Sequence, residues 1–381
     1  MKQYTIDNTL RVAKRYKNAK RSWLLVNPLQ AKHIPVSPTV SLEMMRTLGN
    51  RLAEDYPTAK LVVGFAETAT AIGAAVASCL SEDCVYVHTT REPLGNTEGM
   101  ICFQEEHSHA VEQMLYGGKL EAWLDATDTV LLVEDEISTG KTMVNMVKQL
   151  KAQYPALAEK KLVAASVLNR VSEENMQLMA DNGIDCVYLV KLPDADYTAA
   201  VAELSVAEAA PACACEAAEW NKIENVRLPD PRVGVSVGEY EAALSVFCDG
   251  LCDRLEAVLN GAGSVLVLGT EECMYPAIKL GEALEQRFAQ RTVRTHATTR
   301  SPIGVTDAAD YPIFCGVKLQ SLYDGERTTY LYDLAKYDAV LIVTDAAAPA
   351  NEGVSGLVSG LGKYGNENFY LITGGSHVWN V

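Results

Sequence analysis

The chain has 381 residues and a formal net charge of −16, from 33 Lys and Arg against 49 Asp and Glu. At roughly 150 residues per domain, that length predicts two or three domains. The acidic balance argues against a nucleic-acid partner, because affinity for a phosphate backbone comes mainly from clustered Lys and Arg. The sequence has no apolar run of the roughly 18 residues that span a bilayer and no signal-peptide core near its start. We therefore expect a cytoplasmic protein with no membrane partner.

The main basic stretch is the first 21 residues, where seven Lys and Arg stand against the single acid Asp7. We interpret this stretch as a short solvated arm. The ten cysteines are scattered through predicted strands and helices, which is typical of small buried hydrophobic residues in a cytoplasmic chain. Their spacing does not repeat, which disfavours a zinc site, including one built from the cysteines at 213, 215, 248 and 252.

Short apolar runs alternate with helix-length segments in the N-terminal half. The predicted strands are rich in β-branched residues without strict alternation, as expected for strands covered on both faces. They span residues 23–26, 60–65, 84–88, 129–134, 161–168 and 185–191. Helices are predicted over residues 41–56, 70–80, 107–116, 142–154 and 172–182. This alternation predicts an α/β domain with a parallel twisted sheet flanked by helices.

A second α/β unit follows a change of composition. Residues 193–224 are rich in Ala and Glu and indicate a boundary region. Beyond it, strands are predicted at 264–268, 293–295, 339–344 and 369–372, with a helix over 275–287. We therefore place a first domain at residues 20–195, a linker at 196–224 and a second α/β domain at 225–381.

The two halves share three landmarks in the same order. These are a strand ending in glycine, a Thr-Thr-Arg run and a strand ending in aspartate. In the first half they end at residues 64, 91 and 135, and in the second half at residues 269, 300 and 345. The intervals are 27 and 44 positions in the first half and 31 and 45 in the second. Such spacing indicates a duplicated fold unit, with a chance alignment of common strand patterns as the alternative.

The strongest chemical signal is the segment 129–142, T-V-L-L-V-E-D-E-I-S-T-G-K-T. An apolar strand ends in two adjacent carboxylates, Glu134 and Asp135, and a turn of small residues then opens a helix. The turn comprises Ser138, Thr139, Gly140, Lys141 and Thr142. Free backbone N–H groups at a helix N-terminus suit a phosphate monoester, hydroxyls add donors, and Gly140 allows close backbone approach.

Carboxylates at the C-terminal end of a strand lie where α/β sheets bind ligands. There Glu134 and Asp135 can accept hydrogen bonds from the vicinal hydroxyls of a sugar or help hold hydrated Mg²⁺. A phosphate at the turn and a diol at the acid pair together describe a ribose 5-phosphate. A nucleotide P-loop is disfavoured, because that motif needs glycine five positions before Gly140, where Asp135 stands.

Residues 130–142 resemble the thirteen-residue signature of type I phosphoribosyltransferases, with four apolar residues, an acidic pair and a Thr/Ser-Thr-Gly-x-Thr loop. Enzymes of that family bind 5-phosphoribosyl-1-pyrophosphate (PRPP) with Mg²⁺ and exchange the pyrophosphate for a nucleobase or related nucleophile. The resemblance implies that Mg²⁺ is held through PRPP, without a dedicated protein cage, and that the protein is a homodimer. The one departure is Glu136, where an apolar residue is commoner.

The same resemblance implies a pyrophosphate loop after the first core strand and a mobile loop after the second. The pyrophosphate loop is formed by Ala66, Glu67, Thr68, Ala69 and Thr70. Glu67 is an unexpected charge beside pyrophosphate, although it could contact the leaving group through Mg²⁺. In the mobile loop, residues 89–109, Arg91 is a candidate catalytic clamp, because a guanidinium forks onto phosphate oxygens. A surface ion pair is the alternative role for Arg91.

Two clusters are candidates for recognising the acceptor. Residues 27–35 precede the core, where type I enzymes carry a variable hood over the base, and Lys32 and His33 are the best candidates there. His107 and His109 could supply a base, a metal contact or a gate over the site. An exposed polar helix start is the alternative reading of the histidine pair.

Residues 299–302, Thr-Arg-Ser-Pro, resemble the signature of the TRSP domain. That domain follows a phosphoribosyltransferase domain in proteins of bacterial tellurium-resistance and stress gene neighbourhoods. The two resemblances cover about 20–195 and 225–375 of the chain. In the second half Thr344 replaces the first acid and residues 346–349 replace the phosphate-binding turn. We therefore expect a degenerate copy without a PRPP site.

The residues and the resemblance together predict a Mg²⁺-dependent phosphoribosyltransferase that uses PRPP and an unidentified nucleobase-like acceptor. The alternative is a regulator that senses PRPP or a nucleotide through the same pocket without turnover. A third hypothesis makes the C-terminal half the active one, with Arg300 and Ser301 binding a phosphorylated product.

Overall fold

The computed structural model describes residues 3–18, 21–92, 99–103, 113–212, 219–346 and 349–373. The strands of the N-terminal part are β1 (Arg11–Lys14), β2 (Trp23–Val26), β3 (Ala59–Gly64), β4 (Val85–His88), β5 (Met100–Phe103), β6 (Gln113–Tyr116), β7 (Thr129–Ile137), β8 (Lys161–Asn169) and β9 (Ile184–Lys191). Its helices are α1 (Ile6–Thr9), α2 (Pro38–Asp55), α3 (Thr70–Ala77), α4 (Leu120–Asp125), α5 (Lys141–Gln153) and α6 (Glu173–Asp181).

Four short elements connect this part to the next. They are α7 (Thr198–Val201), β10 (Ala210–Pro211), β11 (Asn221–Glu224) and β12 (Val235–Ser236). The C-terminal part then contains α8 (Val237–Val258), β13 (Ser264–Gly269), α9 (Tyr275–Arg287), β14 (Thr292–Ala297), β15 (Gly316–Gln320), β16 (Thr328–Tyr332), β17 (Ala339–Thr344), α10 (Asn351–Gly362) and β18 (Phe369–Thr373).

The N-terminal sheet has six strands in the order β12-β4-β3-β7-β8-β9, all parallel except β12. Its central strand β7 is buried on both faces. Leu131 and Val133 pack into the cluster that contains α2 and α3, whereas Val130 and Leu132 pack into the cluster that contains α5. The predicted α/β fold with a covered parallel sheet is confirmed.

The C-terminal sheet repeats this arrangement. Its five strands are all parallel, in the order β11-β18-β17-β13-β14. Read from the other end, β14-β13-β17-β18 has the same order of successive strands as β4-β3-β7-β8 in the first sheet. The second domain is thus also α/β, and its strand order is the one that a duplicated unit predicts.

The two domains exchange backbone contacts at the edges of their sheets. Val36, just before the N-cap Ser37 of α2, exchanges two hydrogen bonds with Thr295 of β14, at 3.1 and 2.8 Å. Reciprocally, Val235 pairs with Tyr86 of β4 just before Ser236, the N-cap of α8. Each sheet is therefore extended by a segment of the other domain, and one hydrophobic cluster runs through both.

The basic N-terminal stretch is not a solvated arm. Residues 11–14 form β1, which pairs antiparallel with β2, and the Tyr16 N–H donates to the carbonyl oxygen of Pro302 at 3.0 Å. The pairing of β1 with β2 and the buried side chain of Ala13 hold this part of the stretch against the domain despite its charge.

Three further expectations differ from the structure. The helix expected over 107–116 is wrong at its end, because Gln113–Tyr116 is β6, paired antiparallel with β5, and residues 104–112 lie outside the described residues. The segment 196–224 is not only a linker, since Asn221–Glu224 joins the second sheet beside β18. Helix α8 was not predicted, and it carries Cys248 and Cys252 as buried core residues. Among the described helices, none has the length and apolar character needed to cross a membrane.

Val36→Pro tests the exchanged contact. Proline removes the N–H that donates to Thr295, so we expect the free energy of unfolding to fall by about 1–3 kcal/mol. Val36→Ala keeps that N–H and is the matched control. Equal losses for the two variants in denaturant unfolding would show that the backbone contact contributes nothing.

Candidate functional site

The acid pair lies at the carboxyl end of β7. Glu134 Oε1 accepts hydrogen bonds from the Asp135 N–H at 3.3 Å and from Thr68 Oγ1 at 3.5 Å. Asp135 Oδ2 accepts from Gln30 Nε2 at 3.3 Å. Burial, followed by the neighbouring Asp135 carboxylate, raises the pKa of Glu134 well above its usual value. A cation or hydroxyl donors placed at this edge would stabilise the ionised form of Glu134.

The turn after β7 is shaped by Gly140. Its φ of 71° is left-handed, and a Cβ at this position would collide with the side chain of Met179. Gly140 is the N-cap of α5, whose first residues Lys141 and Thr142 are exposed together with Thr139. The open N-terminus of this 13-residue helix is suited to bind a phosphate.

The predicted pyrophosphate loop lies between β3 and α3. The Ala66 N–H donates to Thr89 Oγ1 at 2.8 Å, and the Ala69 N–H donates to the carbonyl oxygen of Phe65 at 2.8 Å. Thr68 is half-buried and reaches Glu134, as described above. The hydroxyl of Thr70, a predicted pyrophosphate contact, is instead bound to the second domain, where it donates to the carbonyl oxygen of Glu272 at 3.0 Å.

Glu67 is neutralised by cations from two sides. Its side chain is 7% exposed and lies 3.8 Å from Lys32 Nζ and 3.3 Å from Arg300 Nε. Lys32 was predicted to contact the acceptor, whereas the structure places it beside the pyrophosphate loop. Arg300 comes from the second domain, in the Thr-Arg-Ser-Pro segment. These two cations explain how a carboxylate is tolerated next to a predicted anion site.

Arg300 also belongs to a buried network at the domain boundary. Its Nε lies 2.9 Å from Glu271 Oε2, and its Nη2 contacts Glu92. Arg327 Nη2 pairs with the same two acids, at 2.9 Å for Glu271 and 2.7 Å for Glu92. Burial, followed by the Glu272 carboxylate, raises the pKa of Glu92 to about 7, against the opposing effect of both arginines.

The equivalent loops of the two domains have the same internal contacts. Thr89 Oγ1 accepts from the Ala66 N–H in the first domain, and Thr298 Oγ1 accepts from the Glu271 N–H, at 3.0 Å, in the second. The residue that follows in each loop then reaches the opposite domain. The two loops are therefore related as the two sides of an isologous contact.

This reciprocal contact joins the loops across the boundary. Glu272 Oε1 accepts from the Arg91 N–H at 2.9 Å, and Glu67 Oε1 accepts from the Arg300 N–H at 3.4 Å. The backbone of Arg91 is thus held by the second domain. Its side-chain Nε is buried with no hydrogen-bond partner among the described residues, and its role as a clamp stays a prediction.

In the second domain Arg232 pairs with Asp345, the residue equivalent to the second acid of the pair. Its Nη1 lies 2.6 Å from Asp345 Oδ2 and its Nε lies 3.1 Å from Glu272 Oε2. The Arg232 side chain is 1% exposed. A neighbouring cavity of about 40 Å³, lined by Thr344 and Asp345, has room for a water molecule or two but not for a sugar phosphate.

The remaining predicted residues are placed as follows. His33 is buried, and burial, followed by the charge of Lys32, lowers its pKa well below the usual value. A neutral imidazole in this position can donate or accept a hydrogen bond without carrying charge. His107 and His109 lie outside the described residues.

Four side chains near the site were missed by the sequence reasoning. Gln30, which donates a hydrogen bond to Asp135, lies in the predicted hood segment, where only Lys32 and His33 were predicted to have a function. Arg21 Nη2 and Arg170 Nε lie 3.5 and 3.8 Å from Glu136 Oε1, and Arg15 interacts electrostatically with the same carboxylate. The unusual acid Glu136 was the available signal, because a buried charge needs partners.

Family models match both parts of the chain. Residues 9–192 match a model described as phosphoribosyl transferase. Residues 231–361 match the TRSP domain that is C-terminal to that transferase domain. The chain therefore belongs to the proteins in which a phosphoribosyltransferase-family domain is followed by a TRSP domain.

Several solved structures are similar to this chain. An adenine phosphoribosyl transferase of Trypanosoma brucei is 20% identical, with 40% of this chain and 65% of that chain covered and a TM-score of 0.30. An adenine phosphoribosyltransferase of Rhodothermus marinus is 14% identical over 49% of this chain and 96% of that one, with a TM-score of 0.35. An orotate phosphoribosyltransferase of Francisella tularensis is 13% identical over 49% and 79%, with a TM-score of 0.29. This chain spans just under two thirds of the trypanosome protein. No curated protein matches it.

Glu92→Gln tests the charge balance of the boundary network. The pKa of Glu92 is about 7 in the folded state, above the ordinary 4.5. Protonated Glu92 therefore stabilises the folded state below about pH 4.5, and this contribution is lost as the pH rises through about 7. The glutamine variant cannot ionise. We therefore expect its Tm, relative to that of the native protein, to increase from about pH 5 to about pH 8. Glu326→Gln at an exposed position is the control, and a Tm difference that does not vary with pH would contradict the assignment.

Proposed function

We propose that the protein is a phosphoribosyltransferase that transfers the 5-phosphoribosyl group of PRPP to a nucleobase-like acceptor and releases pyrophosphate. The observation that carries this proposal is the junction of β7 and α5. There a half-buried acid pair and an open, glycine-shaped helix N-terminus lie within one short segment. The family match of residues 9–192 supports the same reaction class.

In this proposal each part of the site binds one part of PRPP. The 5-phosphate lies on the turn at 138–142, and the ribose hydroxyls donate to Glu134 and Asp135. Pyrophosphate lies against the loop at 66–70, next to Lys32 and Arg300. The reaction then depends on positioning, on charge stabilisation of the leaving group and on exclusion of water, so the protein needs no covalent nucleophile.

Mg²⁺ is part of the proposal as a companion of PRPP. The adjacent carboxylates Glu134 and Asp135 are hard oxygen donors of the kind Mg²⁺ accepts. In the described part of the chain, no group of three or more His, Cys, Asp or Glu is placed to hold a metal ion. When bound, Mg²⁺ neutralises charge on the pyrophosphate.

Asp135→Asn tests the ribose site. The amide keeps the shape of the side chain but loses the charge that accepts from sugar hydroxyls, so we expect PRPP-dependent pyrophosphate release to fall by at least about a hundredfold. The Tm should stay close to that of the native protein, because this side chain is only partly buried.

Asp128→Asn is the matched control, since Asp128 is exposed and immediately precedes β7, at its opposite end. Full activity of Asp135→Asn would contradict the site assignment. Binding of PRPP by the native protein with no isotope exchange between pyrophosphate and PRPP, across a panel of bases, would instead favour the sensing regulator.

Arg300→Gln tests the contribution of the second domain to the site. Removing this guanidinium leaves Glu67 with one cationic partner beside the pyrophosphate, so we expect the affinity for PRPP to fall about tenfold. Combining it with Glu67→Gln removes the repulsive charge and should restore most of that loss.

The control is Arg287→Gln, which breaks exposed ion pairs on α9. Affinity that is unchanged in Arg300→Gln, or a double variant that binds no better than the single one, would separate the second domain from PRPP binding. Isothermal titration with PRPP and Mg²⁺ measures all four proteins.

A homodimer and a cytoplasmic location remain predictions. The reciprocal contact between the two domains resembles that of a two-fold dimer but is made within one chain, so we propose that the site needs no second chain. Analytical ultracentrifugation separates a monomer of 41.3 kDa from a dimer.

A further inference from the structure

Three arginines converge on one carboxylate at the carboxyl edge of the first sheet. Arg170 follows β8 directly, and its N–H donates to the carbonyl oxygen of Ile137 at the end of β7, at 3.0 Å. Arg15 follows β1 and Arg21 precedes β2, so both flank the two-stranded antiparallel sheet of β1 and β2. Glu136 is the next residue after Asp135. We call Arg15, Arg21, Arg170 and Glu136 the arginine cluster.

The positive charge of the arginine cluster is not fully compensated. Glu136 faces three guanidinium groups and approaches two of them at 3.5 and 3.8 Å, too far for strong hydrogen bonds. Burial, followed by the charge of Arg21, lowers the pKa of Arg15. Of the neighbouring acids, Asp135 is directed to Gln30, and Asp196 is exposed and accepts a hydrogen bond from Trp23 Nε1 at 2.9 Å.

Several N–H groups of the cluster are left without acceptors. Arg15 Nε and Arg170 Nε and Nη1 are buried with no hydrogen-bond partner among the described residues. A buried donor on a charged group that lacks an acceptor destabilises the protein, because its lost hydration is not replaced. The arrangement is therefore costly in the free protein, and an anion that accepted these N–H groups would remove that cost.

Trp23 fixes two of the guanidinium groups in position. The Arg21 and Arg170 Cζ atoms each lie 4.7 Å from the centre of its ring, so both guanidinium groups make cation–π contacts with the indole. Such contacts leave the edges of a guanidinium, which carry its N–H groups, available to a carboxylate. The ring itself is covered and is not available to stack on a base.

We infer that the arginine cluster binds a carboxylate on the acceptor, so that the acceptor is a nucleobase-like ring that carries an anionic group. The inference rests on the proposed function, because it places the acceptor beside the ribose site at Glu134 and Asp135. Glu136 takes part as the internal counter-ion that the acceptor carboxylate replaces. This role accounts for an acid at a position where the family's signature usually has an apolar residue.

Two pairs of compounds test the inference: orotate against uracil, which lacks the carboxylate, and nicotinate against nicotinamide, in which a neutral amide replaces it. Each is titrated calorimetrically into the protein saturated with PRPP and Mg²⁺, and into the protein alone. We expect the carboxylate member of at least one pair to bind at least about tenfold more tightly than its neutral partner. Equal affinity within both pairs, or preference for the neutral members, overturns the inference.

Three variants locate the effect. Arg170→Met should weaken binding of the carboxylate compound about tenfold or more and leave the neutral compound unchanged, whereas Arg51→Met, at an exposed position on α2, should change neither. Glu136→Gln removes the internal counter-ion and should tighten binding of the carboxylate compound several-fold. A purely structural Glu136 predicts no such gain, and tightening is the outcome that misfolding cannot produce.

Failure of this inference can be told apart from failure of the proposed function. PRPP binding is measured first, with no acceptor present. If PRPP binds and the carboxylate preference is absent, the arginine cluster has another role and the transferase proposal stands. If PRPP does not bind but a carboxylate compound does, the anion site stands without the transferase.

Discussion

The candidate site depends on the reciprocal contact between the two domains. Glu67 of the first domain receives the Arg300 N–H, and Glu272 of the second receives the Arg91 N–H. Each glutamate lies in the loop that follows the first core strand of its own domain. The loop predicted to hold pyrophosphate is therefore held by contacts with Arg300 and Glu272, which are 233 and 202 positions from Glu67 and Thr70. Its charge is balanced by Arg300 together with Lys32.

The two domains share a strand order but differ at the carboxyl end of the strand that carries the acidic residues. In the first, the acid pair at the end of β7 stays open beside an exposed helix N-terminus. In the second, Arg232 closes the equivalent position by pairing with Asp345 and Glu272. Arg232 precedes α8 by a few residues, as Lys32 precedes α2. In each domain a cation thus precedes the long helix that leads into the first core strand. Arg232 neutralises the acids of the second domain, whereas Lys32 borders the predicted site of the first.

The sequence predicted the parallel sheet and the β7–α5 junction because both depend on local patterns. An apolar run followed by two acids and a glycine turn is enough to predict a strand, a tight turn and a helix, and Gly140 indeed has the left-handed conformation that the turn requires. Contacts across the boundary leave no such pattern. Gln30 is an ordinary polar residue until folding places it against Asp135, and Thr70 faces Glu272 only because the domains pack together. Burial of Arg15 depends likewise on a pairing with Ile303 of the second domain.

The central claim is that one chain carries one working PRPP site and one that is closed. The stoichiometry of PRPP binding in the presence of Mg²⁺, measured by isothermal titration calorimetry on the full chain, tests it most directly. The account predicts one PRPP per chain. Two equivalent sites per chain, or one site that survives loss of the acid pair but disappears when Arg232 is replaced, would contradict it.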